Sequence, residues 1–178
     1  MRTTVFKTEW GWAGVATTVR GVVSVALPKP SRQAVERELR AARLMAGVGA
    51  YRNTPPPTEA RSASRVLTAA RTAIEDYIDG KSRSFDLPLD LQGRSPFQVK
   101  VWRVLQAIPY GRVRSYGWVA RKVGKPKAAR AVGGACGANP VPLLVPCHRV
   151  VAGNGSLGGF SAGLSLKKRL LKLEGTIG

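Results

Sequence analysis

Charge divides this chain, and its organisation follows the same division. Up to Gly93 there are 14 basic and nine acidic residues; from Arg94 onward there are 15 basic residues and a single acid, Glu174. A surface as basic as the second part draws polyanions by counterion release. The pattern therefore favours a nucleic-acid partner over a merely solvated basic face. With 178 residues, 44% of them apolar, the chain has room for one large or two small domains with a real core.

The first part, residues 1–86, reads as a β-sheet and helix domain. "TTVFKT", "GWAGVATTV" and "GVVSVALP" are short β-rich runs broken by Gly and polar residues, the pattern of an antiparallel meander. "SRQAVERELRAARLMAG" predicts a helix with Ser31 as N-cap and Gly47 just past its end. The Pro-rich "YRNTPPPTEA" is expected to be a connector that no helix or strand tolerates. A second helix follows, with Val66, Ala69, Ala70, Ala73, Ile74, Tyr77 and Ile78 on one stripe. Residues 87–94 read as an extended linker.

Residues 95–178 read as a mostly helical domain. In "SPFQVKVWRVLQAIPYG", Ser95 as N-cap, Pro96 at the first helical position and Gln98 three after the cap make a capping box. The apolar face is Val99, Trp102, Leu105 and Ala107 or Ile108. "SYGWVARKVGKPKAARAVGGACGANP" predicts a short helix, a Gly-Lys-Pro turn and a second helix from near Lys127, the outline of a helix-turn-helix. That second helix holds almost nothing larger than Val except Arg130. Each interior Gly costs about 1 kcal/mol relative to Ala. Gly133 and Gly134 thus imply close approach, either of a packed helix or of a nucleic-acid groove into which Arg130 projects.

"LLVPCHRVV" places Cys147 before the only histidine, His148. A thiol beside an imidazole is a candidate nucleophile and base. In an extended strand the two would point to opposite faces, so a turn after Pro146 or a bridging water would be needed to couple them. Arg149 and the basic surroundings are expected to lower the thiol's pKa. A buried structural cysteine beside a core histidine is the competing reading. Two observations favour chemistry. Glu174, the sole acid of this half, ends the helix "LSLKKRLLKLEG", where a carboxylate opposes the helix dipole and calls for a specific partner. Asn139 and three prolines stiffen the approach to Cys147, and the Asn139 amide is suited to brace a turn. One histidine and two cysteines are too few soft ligands for a zinc site. No metal or cofactor is expected. No apolar run reaches membrane-spanning length, and the N-terminus lacks a signal-peptide pattern. A reducing cytoplasm suits two free thiols.

"RAVGGACGANPVPLLVPCHRVV" together with "GGFSAGLSLKKRLLKLEG" resembles the O6-alkylguanine-DNA alkyltransferase family from about Ser95 to Gly175. The resemblance implies an α/β (α+β) chain with a ribonuclease-H-like first domain and a helix-turn-helix second domain. It implies that Cys147 accepts the alkyl group of O6-alkylguanine or O4-alkylthymine, that His148 draws the thiol proton through a water, and that Glu174 holds His148. Asn139 would brace the active-site turn, and Tyr116 would donate to the departing guanine. The carbonyls of Cys147 and Val150 and the N–H near Ser161 would read the guanine edge, beside the wall of Phe160, which stands where the family carries Tyr. Arg130 would fill the gap left by the flipped base. Ser115, Lys127, Ala131, Gly133 and Ala135 would face the minor groove. The implied partner is double-stranded DNA bearing the lesion, met by a monomer in a prokaryotic cytoplasm, with no membrane involved.

Overall fold

The computed structural model describes residues 1–45 and 57–177. The chain forms two compact units, Met1–Gly93 and Arg94–Gly178. In the first, β1 (Arg2–Thr8), β2 (Gly11–Thr18) and β3 (Gly21–Lys29) form an antiparallel meander with β2 in the centre. The predicted strands are all present. Period-two alternation sends neighbouring residues of β2 to opposite faces. Gly14 and Ala16 face α1 (Arg32–Met45), whereas Thr17 donates from Oγ1 to the Ala63 carbonyl of α2 (Pro57–Ile78) at 3.1 Å. At Gly14 the sheet admits α1 closely: a Cβ there would sit 2.6 Å from Val35 Cγ1. Ala16, Val23, Ala26, Val35 and Leu39 make the core on that side.

Several local expectations need correction. Ser31 does cap α1, accepting from the Ala34 N–H at 3.2 Å; Gly47 lies outside the described residues. The Pro-rich segment is not wholly a connector, because α2 begins at Pro57. A proline is tolerated there, since the first helical N–H has no intrahelical acceptor in any case. On α2 the buried stripe is Ala63, Ala70, Ile74, Tyr77 and Ile78, while Ala69 is exposed.

The supposed linker 87–94 is largely docked. The Val22 N–H donates to the Pro88 carbonyl and the Asp90 N–H to the Val22 carbonyl, both at 2.8 Å, which lays the segment along β3. Asp90 is buried and accepts from Thr18 Oγ1 at 2.6 Å and Arg20 at 3.0 Å. Burial alone would push its carboxyl up. The hydrogen bonds from Thr18, Arg20 and the Gln92 N–H outweigh that and hold it below the usual range.

In the second unit, α3 (Pro96–Gln106) starts with the expected capping box: Ser95 Oγ accepts from the Gln98 N–H, and Gln98 Oε1 from the Ser95 N–H, each at 3.2 Å. Val101 rather than Val99 is fully buried, beside Trp102, Leu105 and Ile108. α4 (Tyr116–Lys122) is capped by Ser115 and packs on α5 (Ala129–Gly137), which starts two residues later than predicted. Trp102 Nε1 donates to the Ala135 carbonyl of α5 at 2.8 Å, satisfying one of the last-turn acceptors that a helix leaves open. β4 (Arg114–Ser115) pairs in parallel with β5 (Val150–Val151), which sets Tyr116 beside the Cys-His turn. α6 (Leu164–Leu173) closes the unit. Among the described residues no helix is long and apolar enough to cross a membrane.

Gly21 joins β2 to β3 at φ +147°, and a Cβ there would meet the Pro88 carbonyl oxygen at 2.3 Å. Gly21→Ala should therefore destabilise the first unit by about 1–3 kcal/mol through strain and displacement of the docked segment. Urea unfolding measures this. An unchanged midpoint would show that residues 88–90 are not held against β3.

Candidate active site

Pro146 ends the extended approach, and Cys147–Arg149 form a single 3-10 turn. Of the two arrangements the sequence left open, the turn after Pro146 is present, so neighbouring side chains do not alternate as in a strand. All three residues are buried. Asn139 holds the segment from one side: Nδ2 donates to the Val145 carbonyl at 2.8 Å and to Cys147 Sγ at 3.2 Å, while Oδ1 accepts from the Val141 N–H at 3.1 Å. Between them Leu143 has φ +73°. A non-glycine residue in that region is strained, and here it is buried where the chain must turn back towards the cysteine.

Glu174 supplies the other side. It caps α6, and its carboxylate accepts from Arg149 Nε at 3.1 and 3.0 Å and from the Gly111 N–H at 3.1 Å. His148 Nε2 lies 2.6 Å from Oε1. A carboxylate already serving Arg149 acts as an acceptor towards the ring as well, so Nε2 carries the proton and Nδ1 is the basic nitrogen. Burial drives the His148 pKa down and the Glu174 contact only partly restores it. The resting imidazole is neutral.

The expectation for the thiol is overturned. Cys147 is pushed up, not down: desolvation dominates over the Asn139 hydrogen bond and the charge of Lys167. Arg149 does not act on the sulfur, because its guanidinium is turned to Glu174 and, through NH1, to the Ile108 carbonyl at 2.7 Å. The second thiol, Cys136, is pushed up to about 12 by burial.

A cleft of about 800 Å³ opens over the sulfur. It brings together Cys147, Tyr116, Phe160, Ser161, Ser115, Arg130 and Gly133. Tyr116 donates to the Gly159 carbonyl at 3.3 Å, and burial raises its pKa, so the phenol keeps its proton. Val150 is buried and does not line the cleft, nor do Asn139, His148 and Glu174, which hold the Cys-His turn from beneath through their hydrogen bonds. Ala131 and Lys127 are exposed outside the cleft, and Ala135 is buried within the unit. The glycines of α5 do not serve internal packing: a Cβ at Gly134 would meet nothing within 4 Å, and one at Gly133 only Tyr116 at 3.9 Å.

Sequence reasoning missed Lys167. It is fully buried and donates from Nζ to the carbonyls of Val150, Leu157 and Gly159. Its signal was available, since Lys167, Leu170, Leu171 and Glu174 form one buried stripe at helical spacing.

Comparison with known proteins agrees with this geometry. The profile of the 6-O-methylguanine DNA methyltransferase DNA-binding domain matches residues 96–176. A methylated-DNA–protein-cysteine methyltransferase of Methanosarcina acetivorans is 49% identical over 107 residues, covering 60% of this chain and 68% of that protein. The chain belongs to the methylated-DNA–protein-cysteine methyltransferase family. A member from Mycolicibacterium paratuberculosis is 50% identical over 110 residues, 62% of this chain and 66% of its own length. The crystal structure of Mycobacterium tuberculosis OGT in complex with DNA superposes with a TM-score of 0.73 at 33% identity, over 98% of this chain and 92% of that one. The alikeness thus extends in structure over the first unit, where the mixed sheet-and-helix architecture is shared.

The single histidine makes the site's electrostatics measurable. Unfolded, His148 titrates near its ordinary 6.5; folded, it titrates lower. Below 6.5 the unfolded chain binds a proton that the folded one refuses. Stability should therefore fall with pH there, by at most about 1.4 kcal/mol per unit, and level off below the folded value. Denaturant unfolding across this range checks it, with His148→Gln as the control that removes this component. A stability that rises on acidification through 6.5 would mean that the imidazole is charged in the fold.

Proposed function

We propose that the chain repairs DNA by taking the alkyl group of O6-alkylguanine once and irreversibly onto Sγ of Cys147. The observation that carries this reading is a buried thiol at the floor of a cleft, braced by Asn139 and adjoining a neutral His148 whose other nitrogen is tied to Glu174. On substrate binding the thiol proton passes through a water to Nδ1 of His148, and the imidazolium is stabilised by Glu174. Sγ attacks the alkyl carbon, the carbon–O6 bond breaks, and its electron pair goes to guanine. The proton returned from the imidazolium leaves on the guanine ring, and Tyr116 donates a hydrogen bond to it as charge develops. The product thioether has no leaving step, so each molecule acts once.

A thiol this deep reaches only a base that has left the stack. The open glycine surface of α5 supports its approach to a duplex, with α4 and α5 as a helix-turn-helix in the minor groove and Arg130 at the cleft rim in the place of the flipped base. Ser115, Lys127, Ala131 and Gly133 belong to the same contact. Val150, Phe160 and Ser161 would read and wall the guanine. The first unit is read as a ribonuclease-H-like support, and the setting as a prokaryotic cytoplasm in which the protein stays close to DNA. O4-alkylthymine is read as a second substrate of the same cleft, walled by Phe160.

Incubation with a duplex carrying radiolabelled O6-methylguanine tests the reading. One equivalent of label is expected on the wild type and on Cys136→Ser, and none on Cys147→Ala, whose duplex affinity is retained because phosphate contacts lie elsewhere. Repeated turnover would point to a thiol hydrolase, and binding without transfer to a DNA-binding regulator.

A further inference from the structure

Two arginines stand at the mouth of the cleft, Arg130 on α5 and Arg121 on α4. Arg130 has a place in the reading above, and Arg121 has none. The cations around α4 divide by helical spacing. Lys122 follows Trp118 by one turn, and its Nζ lies 5.6 Å from the centre of that ring, with the Arg114 guanidinium on the same ring at 5.4 Å. Arg121 follows Gly117 by one turn, and these two line the cleft instead. Arg121 is exposed, and among the described residues no ion pair engages it. The one carboxylate of the unit, Glu174, is committed to His148, Arg149 and the Gly111 N–H. A guanidinium left open at a concave site suits an anion whose oxygens match its planar fork, a phosphate above all.

Gly117 supplies the room. Its φ is not positive, so its backbone does not require glycine. A Cβ there would lie 3.8 Å from Arg121 NH1 and 3.9 Å from Ser115 Oγ. An oxygen seated over Gly117 is therefore within reach of both side chains. Ser115 Oγ already accepts from the Trp118 N–H at 3.1 Å, which leaves its hydroxyl proton to be donated outward. The recess thus has a cation on one side, a hydroxyl donor on the other and no side chain between them.

We infer that Arg121, Gly117 and Ser115 form a phosphate subsite at the cleft mouth, which grips one of the two phosphates flanking the flipped nucleotide. This inference rests on the repair reading above. When the base reaches Cys147 at the floor, its sugar and the two adjoining phosphates remain at the mouth, where Arg121 stands. Turning a nucleotide out of the stack swings its backbone out of the line of the strand. A phosphate held there stabilises the extruded nucleotide, not the base as such. The contact differs from the general attraction of the basic surface, because it is made only after extrusion. It belongs to the reacting complex, and it distinguishes a lesion in DNA from the same lesion carried by a free base.

The test pairs a protein variant with a neutral phosphate in the full chain's substrate. Single-turnover transfer is measured on a duplex carrying O6-methylguanine, on the same duplex with a methylphosphonate 5′ or 3′ to the lesion, and on free O6-benzylguanine. Arg121→Gln should slow repair of the unmodified duplex by roughly tenfold to a hundredfold, the scale of a hydrogen bond to a charged group. The rate with free O6-benzylguanine and the affinity for an undamaged duplex should be unchanged. One of the two methylphosphonates should slow the wild type by a similar factor and should not slow Arg121→Gln further, because two halves of one contact do not add. Gly117→Ala keeps Arg121 but puts a methyl between the two donors, and it should slow the duplex reaction alone. The inference is overturned by losses that multiply at both phosphate positions, by an equal loss with free O6-benzylguanine, by an equal loss of affinity for undamaged duplex, or by a wild-type duplex rate in both variants. A wild-type protein that accepts the alkyl group from neither duplex nor free base would instead sink the repair reading itself.

Discussion

Glu174 carries more of this site than any other side chain, because there is no second acid in its unit to share the task. Its two oxygens meet the imidazole of His148, the guanidinium of Arg149 and the N–H of Gly111, three donors from two distant stretches of chain. A carboxylate at the end of α6 opposes the helix dipole, and these donors are what offset it. The same contacts pin the 3-10 turn and choose the histidine tautomer. Breaking one partner of such a buried set leaves the others uncompensated, so the position admits little substitution. The basic field outside can therefore be as strong as DNA binding demands without disturbing the chemistry inside.

The second consequence is that the Cys147 thiol, the proposed nucleophile, is kept quiet. At the Cys147 sulfur desolvation outweighs the Asn139 hydrogen bond and the charge of Lys167, and the Arg149 guanidinium is already engaged by Glu174. A neutral thiol beside a neutral imidazole is stable against casual alkylation and oxidation. In the proposed repair, ionisation then belongs to the complex, in which the leaving guanine supplies the driving force. Such an arrangement suits a protein that can react only once, since each stray reaction would remove a molecule.

How far this was legible in the sequence varied with the kind of interaction. The meander, the capping box of α3 and the pairing of Glu174 with the histidine follow from local spacing or from scarcity: one acid, one imidazole, one cap. The family resemblance then supplied roles for Cys147, Asn139, Tyr116 and Arg130. Contacts between residues remote in sequence were not legible. Arg149 was expected to act on its neighbour Cys147, but adjacency in sequence says nothing of where a long side chain turns, and the guanidinium went to Glu174 and Ile108. Lys167 entered the sequence reading only as one of the 15 basic residues of its unit, although its place on the buried stripe marks it out. Residues 87–94 read as a linker because backbone pairing to Val22 leaves no mark in composition. Pro57 misled because a proline that forbids a helix interior is welcome at its start.

The resting state of one sulfur separates a thiol activated by its substrate from a standing thiolate. The ultraviolet absorbance of the Cys147 thiolate, titrated in the free Cys136→Ser protein against a Cys147→Ala control, measures it directly. The structure predicts no thiolate at neutral pH and ionisation only above the ordinary thiol value of 9.0. A thiolate already present at neutral pH, appearing together with a charged His148, would contradict a neutral thiol activated by its substrate.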